Sequence, residues 1–156
     1  MGTEAVDAAL RLLTHRARSR DEVRRHLERR GFAAAEVGAA LDRLEGMAYL
    51  DDREFARTWV IERIRLKRLG PRRLRAELVK KGIAQEIIDL ALSEAFPEGE
   101  EELARSAADA WIEKRRVAGL DLQNDPGARR RLFAYLARRG FTSGVIEENM
   151  RRLTES

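Results

Sequence analysis

The sequence predicts an all-α protein built from three tandem three-helix, helix-turn-helix-like repeats. Two observations predict it: a composition dominated by strong helix formers, and an apolar pattern around a glycine that recurs three times. Ala, Leu, Arg and Glu dominate the 156 residues, prolines number three, and runs of β-branched residues are scarce. All four favoured types lose little on entering a helix. Hydrophobic residues make up 44% of the chain, enough for a core, and charged residues 37%, which leaves little for neutral polar loops.

The recurring pattern carries the architecture. It reads Val23, Leu27, Gly31, Phe32, Val37, Leu41, then Leu74, Leu78, Gly82, Ile83, Ile88, Leu92, then Leu132, Leu136, Gly140, Phe141, Ile146, Met150. Each glycine follows a basic pair: Arg29-Arg30, Lys80-Lys81 and Arg138-Arg139. Apolar residues four apart share one helix face. A glycine behind them fits the left-handed position just past a helix end. The bases of the last turn suit the negative end of the helix dipole. The apolar residue after the glycine folds back, and a second helix follows.

A third helix precedes each pair. The first spans roughly Glu4 to Ala17, with Leu10 and Leu13 inward, and Ser19 to Glu22 forms the capping box of the next. In the second repeat Asp51 and Glu54 mark a start, the helix carries Phe55 and Trp59 to about Leu69, and Gly70-Pro71 restarts the chain. In the third, a helix from about Glu100 to Val117 carries Trp111, a loop covers Ala118 to Pro126, and Asp125-Pro126 opens the next helix. The repeats are placed at 1–50, 51–97 and 98–156, with Pro97 to Glu102 as a hinge candidate. A trio of this size is marginal alone, and stacked neighbours supply the missing core.

Cysteine is absent, which excludes disulfides and thiolate metal sites. No apolar run approaches a membrane span, and Met1 to Ala8 lacks a signal-peptide pattern. A cytoplasmic protein without membrane contact is expected. His15 and His26 form no metal pair, no phosphate-binding G-x-x-x-x-G-K-[ST] loop occurs, and the carboxylates show no distinctive pairing. The chain is therefore read as a non-enzyme without cofactor or metal.

Net charge is only +4, and Arg supplies 27 of the 31 bases. Its distribution is uneven. Arg63, Arg65, Lys67, Arg68, Arg72, Arg73, Arg75, Lys80 and Lys81 stand against Glu77 alone, so this stretch is +8 and the rest is −4. Local acids are too few to neutralise it, which fits contact with phosphates or an acidic partner. Operator reading in the helix-turn-helix manner needs basic or amide side chains on the second helix of each pair. Residues 84–95 instead carry Glu86, Asp89 and Glu94 with no base, and 36–45 carry three acids with Arg43. Sequence-specific readout is disfavoured. Trp59, Trp111, Phe55 and Tyr49 could stack bases but are read as core, as are Phe32, Ile83 and Phe141.

Four segments resemble the RecX family of RecA regulators: LRLLTHRARSRDEVRRHLERRGF from Leu10, YLDDREFAR from Tyr49, GPRRLRAELVKKGI from Gly70 and YLARRGFTSGVI from Tyr135. Family members commonly have glycine directly before the motif at Tyr49, where this chain has Ala48. The resemblance implies an elongated, curved array of the three units. It also implies binding in the groove of the RecA–DNA filament, with lower RecA ATPase, strand-exchange and co-protease activity in recombination and the SOS response. The expected partners are the RecA filament and single- and double-stranded DNA without strong sequence preference, with the protein acting as a monomer. A helix-turn-helix DNA-binding protein, sequence-independent or operator-specific, is the alternative.

Overall fold

The computed structural model describes residues 2–155, and among them no strand occurs. The helices are α1 (Thr3–Leu13), α2 (Arg20–Arg29), α3 (Ala34–Gly46), α4 (Asp52–Lys67), α5 (Pro71–Lys80), α6 (Gln85–Ala95), α7 (Glu101–Arg115), α8 (Pro126–Arg138) and α9 (Ser143–Thr154), with one 3-10 turn at Arg116–Ala118. The protein is all-helical, as expected.

The three predicted glycine stops are real and share one hydrogen-bond pattern. Gly31, Gly82 and Gly140 have φ of 88°, 72° and 93°. The N–H groups of Phe32, Ile83 and Phe141 donate to the carbonyls of Leu27, Leu78 and Leu136, while the glycine N–H groups donate to those of Glu28, Val79 and Ala137. These paired bonds satisfy carbonyls that a helix end would otherwise orphan, and they press the apolar residue after the glycine toward the last turn.

The same cap closes α3 without a glycine. The N–H groups of Ala48 and Tyr49 donate to Glu45 and Leu44, and Ala48 sits at φ 62°. A Cβ in that region costs about 1–2 kcal/mol. Ala48→Gly is therefore expected to raise the unfolding free energy by about 1 kcal/mol after the flexibility glycine adds to the unfolded chain. Urea unfolding measures it, and a lower midpoint would contradict the strain assigned to this residue.

Contacts divide the chain into two compact units, one of residues up to 59 with 77–91, the other of 60–76 with residues from 92 on. In the first unit Val23, Leu27, Val37, Leu41 and Leu44 are buried among α1, α2 and α3. The buried face of α1 is Ala5, Val6, Ala8 and Ala9, and the expected inward residues Leu10 and Leu13 are only half-buried beside them. Small side chains bring α1 close and push the leucines to the margin. The helix also ends at Leu13, short of Ala17, with the Thr14 hydroxyl donating to the Arg11 carbonyl at 2.6 Å. Tyr49, expected in the core, is 57% exposed, whereas Phe55 is buried and stacks on Trp59.

The capping box at α2 is complete: Ser19 Oγ accepts from Glu22 N–H, and the Glu22 carboxylate accepts from Ser19 N–H. Ser19 also donates its hydroxyl to the Lys81 carbonyl at 2.6 Å, so the end of α5 rests on the start of α2. Glu22 takes ion pairs from Arg16 and Lys81, both at 2.8 Å. Burial alone would raise its pKa, but bonds from Arg16, Lys81 and Ser19 N–H hold it at about 2. A lowered folded-state pKa stabilises above the ordinary value of 4.5, and that contribution is lost as pH falls toward 2. Glu22→Gln is expected to flatten the acid side of the stability–pH curve in that window, measured by urea unfolding. An unchanged slope would contradict the ion-pair account.

In the second unit Ala104, Ala107, Ala108, Trp111, Leu132, Leu136, Phe141 and Ile146 form the core. Asp125 caps α8 through the Gly127 N–H at 2.8 Å, with Pro126 in the first turn. Glu100, inside the acidic hinge candidate, is 7% exposed, and its carboxylate accepts from the Thr142 N–H at 2.6 Å and hydroxyl at 2.7 Å. It thereby satisfies the start of α9 from the start of α7. The expected loop after α7 is pinned as well. Asp121 accepts from the N–H groups of Gln123 and Asn124, and Arg129 donates to the carbonyls of Leu122 and Gln123.

Candidate basic interface

Helix α4 stops at Lys67 rather than Leu69 because Arg68 turns left-handed, at φ 50°. Its side chain then crosses to α7, with Nε donating to Ser106 Oγ at 3.1 Å. Leu69 and Gly70 are buried. Gly70 lies so close to the end of α8 that a Cβ there would stand 2.6 Å from the Gly140 carbonyl oxygen. The N–H groups of Gly70 and Arg72 donate to the carbonyls of Arg139 and Gly140 at 2.6 and 3.0 Å. Orphan donors of α5 thus meet orphan acceptors of α8. Arg73 Nη1 donates to the Arg138 carbonyl at 3.2 Å, and the Arg139 guanidinium donates to the Lys67 carbonyl.

This joint brings the basic pair Arg138-Arg139 beside Lys67, Arg68 and Arg73. Around it lie two adjoining hollows. One, of about 450 Å³, is lined by Leu66, Lys67, Leu69, Arg73, Tyr135, Arg138 and Arg139. The other, of about 270 Å³, shares Leu66, Lys67, Tyr135 and Arg139 and adds Arg68, Trp111, Lys114 and Arg115. Seven lining residues are cationic and none is acidic.

Of the nine bases singled out in the sequence, Lys67, Arg68 and Arg73 line these hollows. Arg63, Arg65, Arg72 and Arg75 belong to the same unit outside the lining, with Arg72 exposed. Lys80 and Lys81 fall in the first unit. Lys81 is engaged there, paired with Glu22 and standing 4.9 Å from the Trp59 ring centroid. Sequence reasoning missed Lys114, Arg115, Arg138 and Arg139 as members of one surface. The Arg138-Arg139 pair was visible as a helix-end signal, and Lys114 to Arg116 as a short basic run, but nothing in their spacing joins them to Lys67.

Trp111 is buried, so its expected core role holds, and no helix among the described residues is long and apolar enough to cross a membrane.

Family models describe the chain in three parts: RecX first three-helix domain at residues 5–44, second at 51–92 and third at 100–149. The regulatory protein RecX of Chlorobium phaeobacteroides (strain BS1) is 38% identical over 153 residues, covering 98% of this chain and 95% of that one. The regulatory protein RecX of Mycolicibacterium smegmatis (strain ATCC 700084 / mc(2)155) is 37% identical, covering 91% and 75%. The crystal structure of RecX from Lactobacillus salivarius superposes with a TM-score of 0.81 over 97% of this chain and 96% of that one, at 21% identity, which shows the shared fold. Three tandem three-helix domains, the triple glycine-capped repeat and a 38% identical relative matched nearly end to end place this chain in the RecX family of regulatory proteins.

Proposed function

We propose that the chain is a non-catalytic negative modulator of RecA. It binds the RecA–DNA filament and lowers its ATPase, strand-exchange and co-protease activities in recombination, DNA repair and the SOS response. It acts in the cytoplasm as a monomer without a cofactor, through repeats at 1–50, 51–97 and 98–156. Family membership supports the regulatory role. The observation that carries the contact surface is the second unit's concentration of cations without a lining carboxylate. Such a surface attracts a polyanion without reading its sequence.

Operator recognition is the weaker reading. Helix α6, the second helix of its pair, carries Glu86, Asp89 and Glu94 and no base, and acidic helices repel the phosphates flanking a major groove. Co-sedimentation with RecA filaments and selection on random duplex DNA separate the two. Co-sedimentation without an enriched motif supports the filament reading, and an enriched motif without co-sedimentation would replace it with a repressor.

A further inference from the structure

Around the start of α2 the arginines are matched with acids: Arg16 with Glu22, Arg20 with Asp42 and Glu45, Arg24 with Asp21 and Glu28, and Arg25 with Asp21. Arg18, in the turn between α1 and α2, is not. It is half-buried, and its Nε lies covered with no acceptor. Burial and the charge of Arg16 both lower its pKa, and Glu22 only partly offsets them. A covered guanidinium N–H without an acceptor is costly and rare in a folded protein.

The nearest carboxylate is already committed. Glu22 accepts from the Ser19 N–H and is paired with both Arg16 and Lys81. Beyond it on the same face of α2 come His26, then Arg29 and Arg30. Side chains on a helix lean toward its N-terminus, which carries Arg29 and Arg30 back over His26, and His26 back toward Arg18. Among the described residues Arg18, Arg29 and Arg30 enter no ion pair. Burial lowers the His26 pKa, and Arg30, Arg29 and Arg18 lower it further. Helices α1 and α3 pack against α2. Their charged groups, Glu4, Asp7 and Arg11 on α1 and Glu36, Asp42, Arg43 and Glu45 on α3, are not among those acting on His26, nor is Lys81 at the end of α5. The cluster is one of donors around an imidazole, with its acceptors spent.

We infer that Arg18, His26, Arg29 and Arg30 form a seat for a doubly charged phosphate group, either inorganic phosphate or the terminal phosphate of a free nucleotide. The inference stands apart from the filament reading, and neither needs the other. A phosphate dianion supplies what the cluster lacks. It gives the guanidiniums a common acceptor and relieves their mutual repulsion. It also favours the protonated form of His26, so binding takes up a proton. Affinity therefore rises as pH falls through the histidine range, until the phosphate itself gains a proton near a pH of about 6. A carboxylate brings one charge and two oxygens to three guanidiniums. A phosphodiester likewise brings one charge, against about −1.5 to −2 on a terminal phosphate at neutral pH.

The test is proton NMR of the full chain, whose two histidines are His15 and His26. His15→Gln and His26→Gln assign the two imidazole signals. Inorganic phosphate, added at constant ionic strength, is expected to raise the titration midpoint of His26 and to leave that of the exposed His15 where it was. Arg18→Gln with Arg30→Gln is expected to weaken phosphate binding about tenfold or more, as the loss of charge-assisted hydrogen bonds does. Arg29→Gln with Arg30→Gln, which alters exposed side chains alone, is expected to weaken it in the same way. A His26 titration indifferent to phosphate would overturn the seat, as would parent-like affinity in both variants. Adenosine diphosphate separates the sources: affinity equal to that of inorganic phosphate assigns the seat to the phosphate alone, and higher affinity assigns it to a nucleotide's terminal phosphate. An oligothymidylate without a terminal phosphate that displaces inorganic phosphate better than adenosine diphosphate does, counted per phosphate, would overturn the choice of a dianion.

Discussion

Gly140→Ala is expected to destabilise the protein by about 3–5 kcal/mol, and Gly31→Ala by only about 1 kcal/mol. The two glycines end equivalent helices with nearly equal φ, 93° and 88°, so the left-handed penalty on an added Cβ is shared. Their surroundings differ. Nothing lies within 4 Å of a Cβ at Gly31, whereas one at Gly140 would stand 2.3 Å from the Arg73 nitrogen and 2.8 Å from its Cα. Main chain cannot swing aside as a side chain can, so the joint between α8 and α5 must open. That loosens the bonds from Gly70 to Arg139 and from Arg72 to Gly140, each worth about 1 kcal/mol, in addition to overpacking. Urea midpoints at constant slope measure the difference. Equal losses for the two variants would mean that the joint carries no stability of its own.

Reversing two exposed charges of the second unit, Lys67→Glu with Arg72→Glu, is expected to weaken inhibition of RecA by on the order of tenfold or more, from about 1 kcal/mol for each contact turned repulsive. Both side chains are exposed, so the helix content and melting temperature should change little. The basic stretch alone suggests reversing Arg72, Arg73 and Arg75 together. The structure narrows that choice, because Arg73 donates to the Arg138 carbonyl and its main chain abuts Gly140. Glu at position 73 would mix a folding defect with a binding defect. Potency is read as the concentration that halves RecA ATPase, with circular dichroism as the folding control. Unchanged potency in a folded double variant would remove this surface from the interaction.

Local rules made much of the fold legible. The glycine stops, the Ser19 capping box and the Asp125-Pro126 start each depend on residues within one turn of each other. Ala48 shows the limit of reading a cap by residue type, since the left-handed cap forms there without glycine. Packing escaped where it depends on size across space, as in the alanine face of α1 that displaces Leu10 and Leu13.

The candidate site was half legible for the same reason. A run of bases along the chain is visible in the sequence, but which of them find acids is decided by folding. Lys81 is drawn to Glu22 and Trp59 in one unit, while Arg139 and Arg115, far from the run in sequence, stand beside Lys67 in the other. Glu100 likewise read as part of an acidic linker, and its bond to Thr142 joins residues 42 positions apart.

The most direct measurement is the single-strand-dependent ATPase of the cognate RecA, titrated with this protein at fixed DNA. A filament regulator is predicted to inhibit well below one molecule per RecA, because capping or disassembly acts on many subunits at once. Full RecA activity at equimolar protein would contradict the account and leave a DNA-binding module that shares the fold.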